Sequence, residues 1–252
     1  MLVLRWSPAE LSIARALALQ VRVMTMPQVA AGWFADTADP RASALTALCR
    51  LANAGLVESV TLEAHPLLLL QQPLFVWRAG DPCPNPLDFV VISVQSQARW
   101  NRPHVPVALW RATKRASHVW GAFHDARRIR HSEASHDLHF AEVFVRYRCQ
   151  HQHAAADWLG EAAFPKLGFE LKGMKDPDAF LVNETGVAYR VVEFAGSYEA
   201  DHLWDFHAHC SGRAAEKLAR RFSALSVSAQ RRPSVSRLAS LYAPGGTAYE
   251  LW

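Results

Sequence analysis

Asp178 and Glu193 stand at the two ends of a segment that reads as a β-hairpin. One apolar run ends at Val182 and a second begins at Val187. Between them Asn183-Glu184-Thr185-Gly186 is rich in turn residues, and Gly186 can take a positive φ. Setting Val182 opposite Val187 puts Asp178 opposite Val191. Side chains alternate between faces, so Asp176, Asp178, Val191 and Glu193 then share one face. Asp178 and Glu193 become diagonal neighbours, roughly 7–8 Å apart at the backbone. Two such carboxylates can converge on a hard cation, because Mg²⁺ is held by one or two carboxylates together with water and phosphate oxygens. Mg²⁺ is the only cofactor the pattern suggests. The plain alternative is a surface hairpin with acidic residues on its solvent face.

The order Pro177-Asp178, hairpin, Glu193-Phe194-Ala195 resembles the PD-(D/E)xK superfamily of restriction-endonuclease-like nucleases. The resemblance implies that Asp178 and Glu193 are metal ligands. It also implies a lysine two residues after the glutamate, which helps to activate the attacking water; here that position is Ala195. The family's third carboxylate would be Glu142 on a preceding helix, and Lys175 or Lys172 would have to replace the missing lysine. The expected catalytic set is therefore Asp178, Glu193, Glu142 and Lys175.

Several elements are needed to position these groups. Ser7-Pro8-Ala9-Glu10 opens a helix as a capping box, with proline in the first turn. Leu11, Ala14, Leu17 and Ala18 follow at helical spacing. Thr25 caps a second short helix that ends near Phe34, and Asp39 or a neighbour caps a third. That third helix turns Ala44, Leu45, Leu48 and Leu51 inward and stops at Asn53-Ala54-Gly55. An alternating strand over residues 56–63 comes next, with residues 73–78 as its expected partner. Three short helices and a two-stranded ribbon form the pattern of a winged helix, whose third helix enters the major groove. Arg41, Ser43, Thr46, Arg50 and Asn53 are its outward candidates for phosphates and base edges.

Residues 80–86 are proline-rich and read as a linker. Residues 87–94 fit a helix or a strand. Arg99, Trp100, Arg102, Trp110, Arg111, Lys114, Arg115 and Trp120 interleave cations with aromatics, a mixture suited to backbone contact and base stacking. Arg127, Arg128 and Arg130 add a basic cluster to the candidate DNA contacts. A helix over residues 135–147 buries Leu138, Ala141 and Val145. Its His136, Asp137 and His139 lack the spacing of a metal hydrolase and read as structural. A last helix over residues 198–210 sets His202, Asp205 and His209 toward one face, where zinc is conceivable and a solvated face is the commoner outcome.

The chain has 252 residues, half of them hydrophobic, which suffices for one large or two modest domains. The formal charge of +4 leans toward polyanionic partners. Four scattered cysteines with no CxxC pair argue against a zinc ribbon and for a reducing, cytoplasmic setting. The first residues lack the pattern of a signal peptide, and no apolar run is long enough to span a bilayer.

The whole layout is similar to the replication-relaxation family of plasmid and mobile-element proteins. The likeness rests on residues 45–56, His136-Asp137-Leu138, Glu161, Pro177-Asp178 and Val192-Glu193-Phe194. It implies an α+β chain: a winged helix over residues 1–80, a linking basic and aromatic region over 81–130, and a restriction-endonuclease-like domain with a mixed central sheet over 131–252. The implied function is that of a DNA-binding accessory protein of a plasmid or mobile element, with a degenerate nuclease-like domain. The implied partners are double-stranded DNA, a relaxase or replication initiator, and a second copy in a homodimer, with no membrane. The alternatives are an active Mg²⁺-dependent DNA endonuclease or nickase, and a protein-interaction scaffold that does not bind DNA.

Overall fold

The computed structural model describes residues 5–78, 80–122, 129, 131–163, 177–184, 188–211 and 248–252. In chain order the elements are α1 (Pro8–Leu19), α2 (Met26–Trp33), α3 (Pro40–Asn53), β1 (Val57–Ala64), β2 (Phe75–Arg78), α4 (Pro86–Ala98), β3 (Val105–Ala112), α5 (Lys114–Val119), α6 (His131–Gln150), α7 (Gln152–Ala156), β4 (Trp158–Gly160), a 3₁₀ turn (Glu161–Ala163), β5 (Ala179–Val182), β6 (Ala188–Glu193), α8 (Ala200–Ser211) and β7 (Ala248–Leu251). The chain is α+β with a mixed sheet. It divides into two compact units, Met1–Leu69 with Arg102–Lys166, and Leu70–Asn101 with Leu167–Trp252.

The first three helices start where the capping chemistry sets them. Ser7 and Glu10 complete a capping box at α1, and Thr25 and Gln28 complete another at α2. The Asp39 side chain accepts from the Ala42 amide at the start of α3. Gly55 stops α3 with φ +68°, a conformation that suits glycine. Ala44, Leu48 and Leu51 are buried as expected, but Leu45 is 49% exposed. Ala47 takes the inward place, completing a stripe at 44, 47, 48 and 51.

β1 does not pair with the segment at 73–78. It runs antiparallel to β3, with every position from Val57 to Ala64 matched against Ala112 to Val105. β1 and β3 each span eight residues and match end to end, whereas β2 spans four and pairs with β7. Met24 extends this ribbon through an isolated bridge to Trp110, whose amide and carbonyl exchange hydrogen bonds with those of Met24 at 2.7 and 2.9 Å. Behind the ribbon Val23, Ala64, Leu109 and Leu138 form a buried cluster. Trp158 is fully buried among Phe140, Phe144 and Tyr147, and its indole N–H donates to the Gln20 carbonyl. A Cβ on Gly160 would collide with that same carbonyl, so the close approach requires glycine.

The other unit holds the mixed sheet, in which β2, β7, β6 and β5 lie side by side in that order. β5 and β6 are antiparallel, β6 and β7 parallel, and β7 and β2 antiparallel. Parallel neighbours need a long connection, and α8 lies in the one between β6 and β7. All four β5 residues are buried, which explains a continuous apolar run in place of alternation. α4 packs against α8 through Phe89, whose ring lies 5.6 Å from Trp204 and 5.7 Å from His207.

The domain boundaries at 80 and 130 do not match the compact units. The proline-rich stretch at 80–86 lies inside the second unit, where Asn85 caps α4 and Pro86 is its first residue. Proline there removes backbone donors and suits the first turn of α4; it does not mark a break between cores. Residues 81–130 supply α4, β3 and α5, and α6, α7 and β4 belong with the N-terminal helices. Among the described residues, no helix is long and apolar enough to cross a membrane.

Candidate functional site

Asp178 immediately precedes β5 and Glu193 is the last residue of β6. The hairpin register differs from the expected one. Val182 lies opposite Ala188, and after a bulge between Leu181 and Val182, Phe180 lies opposite Val191 and Ala179 opposite Val192. Continuing that ladder brings Asp178 opposite Glu193, two positions from the expected Val191. A shift of two preserves the face, so the acids move from diagonal to direct neighbours. The bulge and the longer loop cause the shift, and residues 185–187 of that loop, with Gly186, lie outside the described residues.

Each carboxylate is held by the other's strand. The Phe194 amide donates to Asp178 Oδ2 at 2.7 Å, and the Asp178 amide donates to Glu193 Oε2 at 3.3 Å. The Tyr198 hydroxyl donates to Glu193 Oε1 at 2.9 Å. Glu193 is 1% exposed, so these donors replace the water it would otherwise have. The Trp252 amide donates to the Glu193 carbonyl and the Ala195 amide to the Trp252 carbonyl, each at 3.0 Å, which fixes the backbone on both sides of Phe194. Burial, with the Glu193 and Asp178 carboxylates, pushes the Tyr198 phenol above its ordinary pKa. Tyr198 is therefore a neutral donor at physiological pH, not a phenolate nucleophile. Its ring stacks on His202 with centroids 4.5 Å apart.

The donor set suits a hard cation in kind, since it is all carboxylate oxygen. An accepting carboxylate oxygen keeps a second lone pair, so the three bonds just described narrow a cation's approach but do not by themselves abolish it. Ala195 is fully buried and offers no cation in the place of the lysine. Among the described residues, no group of three or more His, Cys, Asp or Glu side chains is placed to hold a metal. Glu142 belongs to the other compact unit, where Gln28 Nε2 donates to it at 3.2 Å and Arg146 lies 3.8 Å away. Lys175 and Lys172 lie outside the described residues, as do Arg127, Arg128 and Arg130.

Buried acids also occur where spacing gave no signal. Glu250 on β7 faces Arg190 at 3.1 Å and accepts from the Trp252 indole at 3.0 Å. It lies opposite Val192 in the parallel pair, so it points to the sheet face away from Glu193. Tyr198 was legible only as an aromatic residue shortly after Glu193. Its role needed the turn that brings its hydroxyl back.

On α3, Arg41, Thr46 and Asn53 are exposed, and Ser43 is half-buried with its hydroxyl on Thr37 at 3.3 Å. Arg50 is committed elsewhere: it pairs with buried Glu10 at 2.9 Å, donates to the Arg5 carbonyl and lies over Trp6. Asp137 is paired with Arg22 at 3.1 Å. Fully buried His139 has its two ring nitrogens against the Ser135 and Pro66 carbonyls, so Asp137 and His139 are engaged within the fold. The His209 side chain lies outside the described residues. No family model matches the chain, and no match was found among curated proteins or solved structures.

Proposed function

We propose that this chain is a DNA-binding protein in which α3 and the β1–β3 ribbon engage duplex DNA, and in which the Asp178–Glu193 hairpin belongs to a degenerate nuclease-like unit. The observation that carries the DNA-binding part is the build of the N-terminal unit: α1, the Met24 bridge, α2, capped α3 and then β1, which forms an eight-residue ribbon with β3 once β2 and α4 have intervened in the chain. That order is the one a winged helix uses to hold its third helix against the major groove. The exposed Arg41, Thr46 and Asn53 are of types that reach phosphates and base edges. The formal charge of +4 favours the same class of partner.

The degenerate part rests on Ala195 and on the engaged state of Glu193. Both Glu193 oxygens already accept a protein donor, and the position two residues after Glu193 is a buried alanine. A role in plasmid or mobile-element replication or transfer, and a relaxase or initiator partner, rest on the sequence resemblance alone.

The second reading is an active Mg²⁺-dependent endonuclease. It is favoured by one observation: the two acids face each other across a hairpin in a mixed sheet. A bound metal would there lower the pKa of a water and polarise the phosphodiester. One gel separates the two. Supercoiled plasmid incubated with the protein at low salt in Mg²⁺ or Mn²⁺ should be retarded and remain unnicked. Nicking that disappears in Asp178→Ala would overturn the degenerate reading, and a plasmid that is neither retarded nor nicked would overturn DNA binding.

A further inference from the structure

α4 is apolar on two opposite sides. Its inner side, with Phe89 and Ile92, is buried, and Phe89 lies against Trp204 and His207 of α8. Its outer side carries Leu87, Val90, Val91, Val94 and Ala98, all exposed, with Leu87 at 68% and Val94 at 63%. At about 100° per residue these five fall within an arc of about 100°, centred opposite the buried stripe. Exposed aliphatic side chains scattered singly are ordinary. A contiguous stripe of them, on a helix whose other side already faces the core, marks a contact surface.

The chemistry of the stripe narrows what covers it. Pro86–Ala98 contains no Lys or Arg, so it offers no cation to a phosphate and lacks the basic flank of a helix that lies on a membrane. Its one charge, Asp88, accepts from the Asn85 amide in its own capping box. Leu87, Val91, Val94 and Ala98 recur at intervals of four, three and four, the spacing of a two-helix seam. Laid antiparallel on a second copy, this seam complements itself. Leu87 meets Ala98 and Val91 meets Val94, so the longest side chain faces the shortest. The two Asp88 carboxylates then lie at opposite ends of the pair, and the helix dipoles oppose. A parallel pair would set Leu87 on Leu87 and leave a gap between the two Ala98 residues. The four larger side chains expose about half of the roughly 800 Å² that each partner of a standard interface buries, which sets a weak, reversible pair.

We propose that the outer face of α4 is a homodimer contact, in which two copies of this chain pair their α4 helices antiparallel with a dissociation constant of roughly 10–100 μM. No nucleic acid enters this contact, so it stands or falls apart from the DNA-binding reading.

The test is sedimentation equilibrium of the nuclease-treated full chain from about 2 to about 200 μM, at low salt and at about 1 M NaCl. The average mass should climb from 28.1 kDa toward twice that value, and as readily in high salt, because an apolar contact is not screened. The double variant Val91→Lys, Val94→Lys should stay monomeric throughout. At the dilute end it should melt within about 2 °C of the wild type, since both positions are exposed. An equimolar mixture of Val91→Lys and Val94→Glu chains should recover the association that each substitution weakens alone, because residue 91 of one copy meets residue 94 of the other. A mixture of Val91→Lys and Val91→Glu chains should not. A wild type that is monomeric at every concentration would overturn the proposal, as would a dimer untouched by the double substitution. A double variant that melts well below the wild type would also overturn it, because the stripe would then be covered within the chain. Rescue by the second mixture in place of the first would overturn the antiparallel pairing.

Discussion

Replacing Tyr198 with phenylalanine removes one hydroxyl and leaves the ring on His202. The hydroxyl donates to a carboxylate that is 1% exposed, at 2.9 Å. Hydrogen bonds to charged groups contribute about 1.5–3 kcal/mol, and the loss of a donor to a buried charge falls toward the upper part of that range. Glu193 keeps the Asp178 amide, but at 3.3 Å that contact is the weaker one. Tyr198 is only half-buried, so water can reach the vacated position and offset part of the loss. The expected destabilisation of the unit that holds the hairpin is therefore about 1.5–2 kcal/mol. Urea unfolding followed by circular dichroism, with each unit's transition fitted separately, reads it as a lowered midpoint at constant m-value. Glu193→Gln should blunt the effect of the tyrosine substitution, because a neutral acceptor gains less from the phenol. A Tyr198→Phe protein within about 0.5 kcal/mol of the wild type would refute the view that the phenol holds Glu193.

Gly160→Ala should cost about 1–3 kcal/mol in the N-terminal unit, measured by thermal melting, because its new methyl meets the Gln20 carbonyl with no flexible side chain to give way. His207, buried against Trp77 and Phe89, has its pKa lowered by desolvation. The unfolded chain therefore binds the proton first, and stability falls as pH drops from about 6.5 toward the folded value. His207→Gln should flatten the unfolding free energy across that window by up to about 1 kcal/mol, read from urea midpoints at pH 7.5 and 5.5. Arg41→Ala should weaken duplex binding about threefold to tenfold across sequences and reduce the salt slope by about one, read by anisotropy.

The N-terminal helices were readable from local chemistry, because Ser7, Thr25, Asp39 and Gly55 each act within one turn of their own position. Strand partners were less readable. The partner of β1 arrives only at Val105, after α4, and sequence proximity favoured a strand that pairs instead with β7 near the C-terminus. The face shared by Asp178 and Glu193 survived an error of two in register because side chains alternate with period two. The bulge that set the true register carries no strong local signal, as β5 is buried on both faces and slides without penalty in the pattern. Helical spacing offered Arg50 as an outward DNA contact. Its commitment to Glu10 is a tertiary fact that helical periodicity does not contain.

The proposed grip on duplex DNA through phosphate contacts is open to one direct measurement. The affinity of the full chain for a short duplex, measured from low to moderate salt, tests it most directly. A log affinity that falls linearly with log salt, with a slope of about −0.9 for each phosphate neutralised, is the predicted result. Absence of binding at the lowest salt, or an affinity indifferent to salt, would contradict it.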